Sequence, residues 1–199
     1  MKPAGGIAAL LAFALVSCAS TPPVVVALPA PPAPAVARQL DANPRTTLTL
    51  RGVTLPGYLD SPGVVISRQA NTLVFAEEAE WAERPRDGAT RVLRDALSQR
   101  LGASRIVLRG EHRVPDAELI VEFLKLDPVN GALQLDAQWS FVCIARKGAS
   151  HAGRTQLQTP LEAATATAVA TATANALAKF ADVLAAEAWC PADAGTTAQ

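Results

Sequence analysis

Residues 132–146 (ALQLDAQWSFVCIAR) alternate between apolar and polar side chains with few breaks. Leu133, Leu135, Ala137, Trp139, Phe141 and Cys143 fall on one face, and Gln134, Asp136, Gln138 and Ser140 on the other. Successive strand residues point to opposite sides, so this run is a strand with one dry face and one wet face. Such a strand needs neighbours beside it and a cover over the dry side. It follows Asp127-Pro128-Val129-Asn130-Gly131, a cluster of turn formers, and a first arm over Glu118–Leu126, so the pair reads as a hairpin.

Two helices supply the cover. Pro85–Leu101 places Ala89, Val92, Leu93, Ala96, Leu97 and Leu101 on one stripe at helical spacing, with Gly102 as the terminating residue. The second helix starts at Thr159-Pro160, an N-cap followed by proline at the first helical position, and runs to about Trp189. Its stripe is Val169, Ala172, Ala176, Phe180, Val183 and Leu184. Further strands are expected at Thr46–Leu55, Val64–Arg68, Thr72–Trp81, Arg105–Arg109 and Arg154–Gln158. Along Thr72–Trp81, Leu73, Phe75, Ala79 and Trp81 share a face at period two. The order predicts an α+β domain over residues 45–190: a mostly antiparallel sheet with two helices packed on one face, and a disordered tail at 191–199.

The N-terminus carries a different signal. Lys2 precedes an apolar run, Ile7–Val16, of signal-peptide length and too short to span a bilayer as a mature helix. Leu15-Val16-Ser17-Cys18 resembles the bacterial lipobox. That resemblance implies cleavage of residues 1–17 and diacylation of Cys18; two acyl chains make anchoring stable. Residues 18–44 hold Pro22, Pro23, Pro29, Pro31, Pro32 and Pro34 and read as a Pro/Ala-rich tether. At about 3.1 Å per residue, some 20 extended residues reach roughly 60 Å. Ala19 after the anchor, in place of aspartate, points to the outer membrane with the domain facing the periplasm.

The candidate chemistry is sparse. His112 and His151 lie in polar loops, and Glu77, Glu78 and Glu80 sit on a strand end rather than as a dyad. Neither a metal motif nor a nucleophile motif is present, so no cofactor, metal or catalytic residue is expected. A formal net charge of +0 argues against nucleic acid as partner. With Cys18 lipidated, Cys143 and Cys190 remain as an even pair in an oxidising compartment. They form a disulfide, or stay as one buried thiol and one loose one. The loop LPGYLDSP sets Tyr58 and Leu59 between two breakers, either as partner-binding anchors or folded back on the core.

The stretch from Leu55 to Gly102 resembles the signature of the ABC-transport auxiliary lipoprotein family, the PqiC-like proteins. The matching residues include Leu55, Pro56, Tyr58, Leu59, Asp60, Pro62, Arg68, Asn71, Leu73, Trp81, Ala82 and Glu83, then Leu93, Leu97 and Leu101. There are two departures. The family's N-terminal Tyr-x-Leu segment is replaced by VVVALPAPPAP, which gives no support for an extra strand there, and Arg84-Pro85 follows Trp-Ala-Glu. The resemblance implies an auxiliary lipoprotein of an intermembrane lipid transport system, docking on an MCE-domain (PqiB-like) periplasmic protein, with homo-oligomer formation left open. The alternative is a structural or assembly lipoprotein binding another envelope protein. An MCE-protein pull-down separates the two.

Overall fold

A computed structural model of the chain describes residues 22–34, 47–108, 110–144 and 150–187. Among the described residues it is an α+β structure with two α-helices and seven strands in two sheets. The strands are β1 (Val24–Val26), β2 (Leu48–Thr54), β3 (Gly63–Gln69), β4 (Thr72–Trp81), β5 (Ala117–Val129), β6 (Ala132–Cys143) and β7 (Ser150–Pro160). The helices are α1 (Pro85–Leu101) and α2 (Ala166–Glu187). One sheet has the order β2-β5-β6-β7 and the other β1-β4-β3. Pairing is antiparallel except β1–β4 and β2–β5, which are parallel.

The β5–β6 hairpin behaves as its alternation requires. Asn130 and Gly131 both take positive φ (51° and 76°), the backbone of a two-residue turn matched to strand twist. Asp127 and Pro128 belong to β5 rather than to the turn. Leu133, Leu135, Ala137, Trp139, Phe141 and Cys143 are all buried. Leu119, Val121 and Phe123 join them from β5. The alanines of α2 let its backbone approach this surface, and Phe180 meets Phe123 edge-to-face at 5.8 Å. α1 packs on β2 and along α2 through its stripe. Burial of each large side chain contributes on the order of 1.5–3 kcal/mol.

Four expectations are corrected. The segment Arg105–Arg109 is not a strand among its described residues: a 3-10 turn spans Ala103–Arg105, and Ile106 makes one parallel bridge to Leu48. Thr159-Pro160 closes β7 instead of opening a helix. β7 is an edge strand, where a residue without an N–H costs little, and Thr159 is buried opposite Leu133. The helix starts after Thr165, whose hydroxyl accepts from the Ala168 amide at 3.3 Å. On β4, irregularities in the β3 pairing shift the phase, so Ala76 faces the core while Phe75 is 41% exposed. Last, residues read as tether are part of the packed structure. Val24–Val26 pairs with Ala79–Trp81, and Val26, Leu28 and Pro31 are buried.

Trp139 stands on Gly153, its partner across β6–β7. A Cβ at Gly153 would lie 2.5 Å from Trp139 Cζ2. The indole Nε1 donates to Thr155 Oγ1 at 3.0 Å, which fixes the ring there. Gly153→Ala is therefore expected to displace the indole and destabilise the domain by about 1–3 kcal/mol, as overpacking does. Urea denaturation followed by tryptophan fluorescence measures this; an unchanged midpoint refutes it.

Candidate functional site

The polar cluster of most consequence lies where the two sheets meet. β3 packs beside β5. The loop before β3 turns back on itself, the Leu59 amide donating to Pro56 O at 2.9 Å. That turn directs Leu59 inward, 9% exposed, and sends Tyr58 across to β5. There Asp127 is fully buried (0% exposed). Its Oδ2 accepts from the Tyr58 hydroxyl at 2.8 Å and from Arg68 Nη1 at 2.8 Å. Arg68 also donates to the Tyr58 oxygen at 2.9 Å and stands 5.3 Å from the Tyr58 ring centroid. The triangle thus joins a loop, a strand of one sheet and a strand of the other.

A carboxylate in such a place is stable only if paired, because losing its partner leaves a buried charge. Asp127 Oδ1 has no hydrogen-bond partner among the described residues, so Oδ2 and its two donors carry that pairing. Burial, reinforced by the hydrogen bond to Asp127, pushes the Tyr58 phenol up to about 12. Arg68 is held above its ordinary range by the hydrogen bond to Asp127. A phenol titrating that high stays protonated near neutral pH, so its hydroxyl is kept as a donor to Asp127 and the arrangement acts as a lock.

Beneath the lock lies an apolar cavity of about 30 Å³ whose lining includes Leu28, Leu55, Leu59, Val65, Trp81 and Leu126. That is room for about one or two waters and far less than an acyl chain occupies. A second polar cluster lies on the wet face of β6 and β7. Asp136 accepts from Arg154 at 2.8 and 2.6 Å and from Gln156 at 3.0 Å. The Arg154 contact holds the Asp136 carboxyl below its ordinary range.

The other residues singled out from the sequence are dispersed. His112 is exposed, and His151 is exposed with Nε2 2.9 Å from Glu187 Oε2. Glu77, Glu78 and Glu80 are exposed along β4. Cys143 is buried at the end of β6. Cys18 and Cys190 lie outside the described residues. Among the described residues no group of three His, Cys, Asp or Glu side chains is placed to hold a metal ion, and no helix is long and apolar enough to cross a membrane. Of the two partner-anchor candidates, Leu59 is part of the core and Tyr58 is half-buried with its hydroxyl on Asp127. The loop therefore takes the folded-back arrangement. Sequence reasoning missed Asp127, which reads as a turn residue beside Pro128. The available signal was its place one strand position after Leu126, continuing the paired arm beyond the expected end.

Comparison with known proteins bears on the whole fold. The family model described as "ABC-type transport auxiliary lipoprotein component" matches residues 27–185. A crystal structure of an uncharacterized protein is similar with a TM-score of 0.67 at 18% identity, covering 85% of this chain and 100% of that one. The crystal structure of protein XCC0632 from Xanthomonas campestris is similar with a TM-score of 0.59 at 15% identity, covering 84% and 94%. At these identities the likeness is one of fold. No curated protein matches the chain.

Tyr58 is the single tyrosine of the chain, so its ionisation can be read by itself. In the unfolded chain the phenol titrates at about 10; in the folded protein it titrates at about 12. The folded state therefore keeps a proton that the unfolded state releases. The stability this confers is complete below about pH 10 and is lost as pH rises toward 12. Near-ultraviolet phenolate absorbance should show one late transition. Asp127→Asn should bring it to lower pH and, by leaving Arg68 without its anion, cost about 1–3 kcal/mol. A phenol titrating at the ordinary value in the wild-type protein refutes the lock.

Proposed function

Because this chain belongs to the family of ABC-type transport auxiliary lipoprotein components, we propose that it is an outer-membrane-anchored subunit of an MCE-type intermembrane lipid transport system. Family membership makes it a lipoprotein of the cell envelope serving a transport system. The finer reading adds three things: acylation of Cys18, sorting to the outer membrane, and docking on an MCE-domain (PqiB-like) periplasmic protein. The observation that carries it is the family match over residues 27–185, which takes in β2 to β7, α1 and nearly all of α2. In this reading the domain works by binding a protein surface. The enclosed apolar cavity between the sheets is too small to hold a lipid chain, in keeping with a domain that docks.

The experiment is capture of an MCE-domain protein by the full-length lipoprotein, solubilised from envelopes in mild detergent. Co-purification, together with recovery of the wild-type protein in the outer-membrane fraction and release of Cys18→Ser from membranes, is expected. Failure to retain any MCE protein across detergents overturns the transport-partner reading. Accumulation in the inner-membrane fraction overturns the sorting.

A Cys143–Cys190 disulfide belongs to the same proposal. Cys143 is buried on the dry face of β6, two residues beyond Phe141, whose partner across the β6–β7 pairing is His151. His151 contacts Glu187, the last residue of α2, so the helix ends at the same corner of the sheet three positions before Cys190. Closing the loop of about 47 residues between Cys143 and Cys190 contributes roughly 3–4 kcal/mol by the chain-entropy account. Non-reducing peptide mapping should recover the linked pair; two alkylatable thiols in the native protein refute it.

A further inference from the structure

We propose that the three-stranded sheet is the side of the domain that faces the lipid headgroups, held there by β1. This rests on the reading of Cys18 as the anchor. The argument starts from chain length. Only residues 19–23 separate Cys18 from Val24, the first residue of β1. Six Cα steps at about 3.3–3.6 Å span at most roughly 20–22 Å. A leash running to residue 44 would have allowed several times that reach. The leash ends at β1 because β1 and the residues after it are fastened. Val26 is buried opposite Trp81, and its carbonyl accepts from the Ala82 amide at 2.9 Å. Leu28 is 5% exposed, and its carbonyl accepts from Arg91 at 3.1 Å.

The surface nearest that fastening is unusually apolar for solvent. Val24 is 60% exposed and Val25 63%. Val25 pairs with Glu80 on β4, and Glu80 pairs with Gly63 on β3, so the three lie in one row on one face. Gly63 has no side chain, and the Phe75 ring fills the space above it: a Cβ there would be 2.9 Å from Phe75 Cδ1. Phe75, 41% exposed, therefore lies on the face of Val25, about two strand spacings or 10 Å away. Glu77, Glu78 and Glu80 are the charged groups along β4. Their carboxylates disfavour an anionic surface, so the fitting occupant is a zwitterionic headgroup layer: the bilayer that holds the Cys18 acyl chains, touched by valine and phenylalanine at its edge.

The test uses the full-length protein in envelopes. A photo-crosslinking benzoylphenylalanine is placed at position 25, 75 or 114; Val114, 74% exposed in the segment before β5, is the comparison site. Adducts and the Cys18 peptide are both weighed by mass spectrometry. Phospholipid adducts are expected at 25 and 75 and not at 114. A fifteen-residue Gly/Ser spacer after Ala19 lengthens the leash from six steps to twenty-one and should cut those adducts about sixfold, following the −3/2 power of linker length. If Cys18 is acylated but positions 25 and 75 take up lipid no more than 114, the membrane-facing assignment is overturned and the anchor stands. If the adducts persist undiminished with the spacer, the short leash is not what sets the contact, and the proposal falls. If Cys18 carries no acyl mass, the anchor reading fails, and this inference with it.

Discussion

The contact between the dry face of β5–β6 and α2 is the constraint around which the molecule is arranged. The strand face is bulky, with Leu133, Leu135, Trp139 and Phe141, while the helix face is largely alanine, with Phe180, Leu177 and Leu184 as its large buried side chains. A large surface against a small one lets backbone and sheet come close, where dispersion contacts are dense. α1 then completes the cover over β2. The wet face of the same strands keeps Asp136 beneath Arg154 and Gln156, an ion pair that satisfies a carboxylate at the sheet surface.

The second sheet is joined to this core by a different kind of interaction. Tyr58, Arg68 and Asp127 form a closed triangle around one carboxylate oxygen. Apolar packing between sheets is tolerant of sliding, whereas a buried charge with two fixed donors is not. Tyr58 and Arg68, both tied to Asp127, are thereby the means by which the domain holds its two sheets in register.

Much of this was legible where local patterns act alone. The α1 stripe, ended by Gly102, and the run Thr72–Trp81 have the limits their patterns imply. The alternation from Leu133 to Cys143 identifies the buried face of β6 residue by residue. What escaped was decided by distant partners. Val24–Val26 is three β-branched residues between prolines, and nothing local distinguishes it from linker; only β4 makes it a strand. Thr159-Pro160 carries a helix-start signature that strand pairing with β6 overrides. Phe75 takes the solvent side because irregular β3–β4 pairing shifts the phase, which no period-two reading of one strand detects. Asp127 looked like a turn residue because its charge disguised its burial, and its two donors come from far along the chain.

The two parallel pairings have a kinetic meaning. Val24 has to wait for Ala79, and Leu48 for Ala117, so in a chain that emerges from its N-terminus these strands are made well before the neighbours they pair with. Contacts of such sequence separation form late, after loop closure has been achieved by other means. Incorporation of the N-terminal strands is therefore ordered in time by topology: residues made first are fastened only after β4 and β5 exist to receive them.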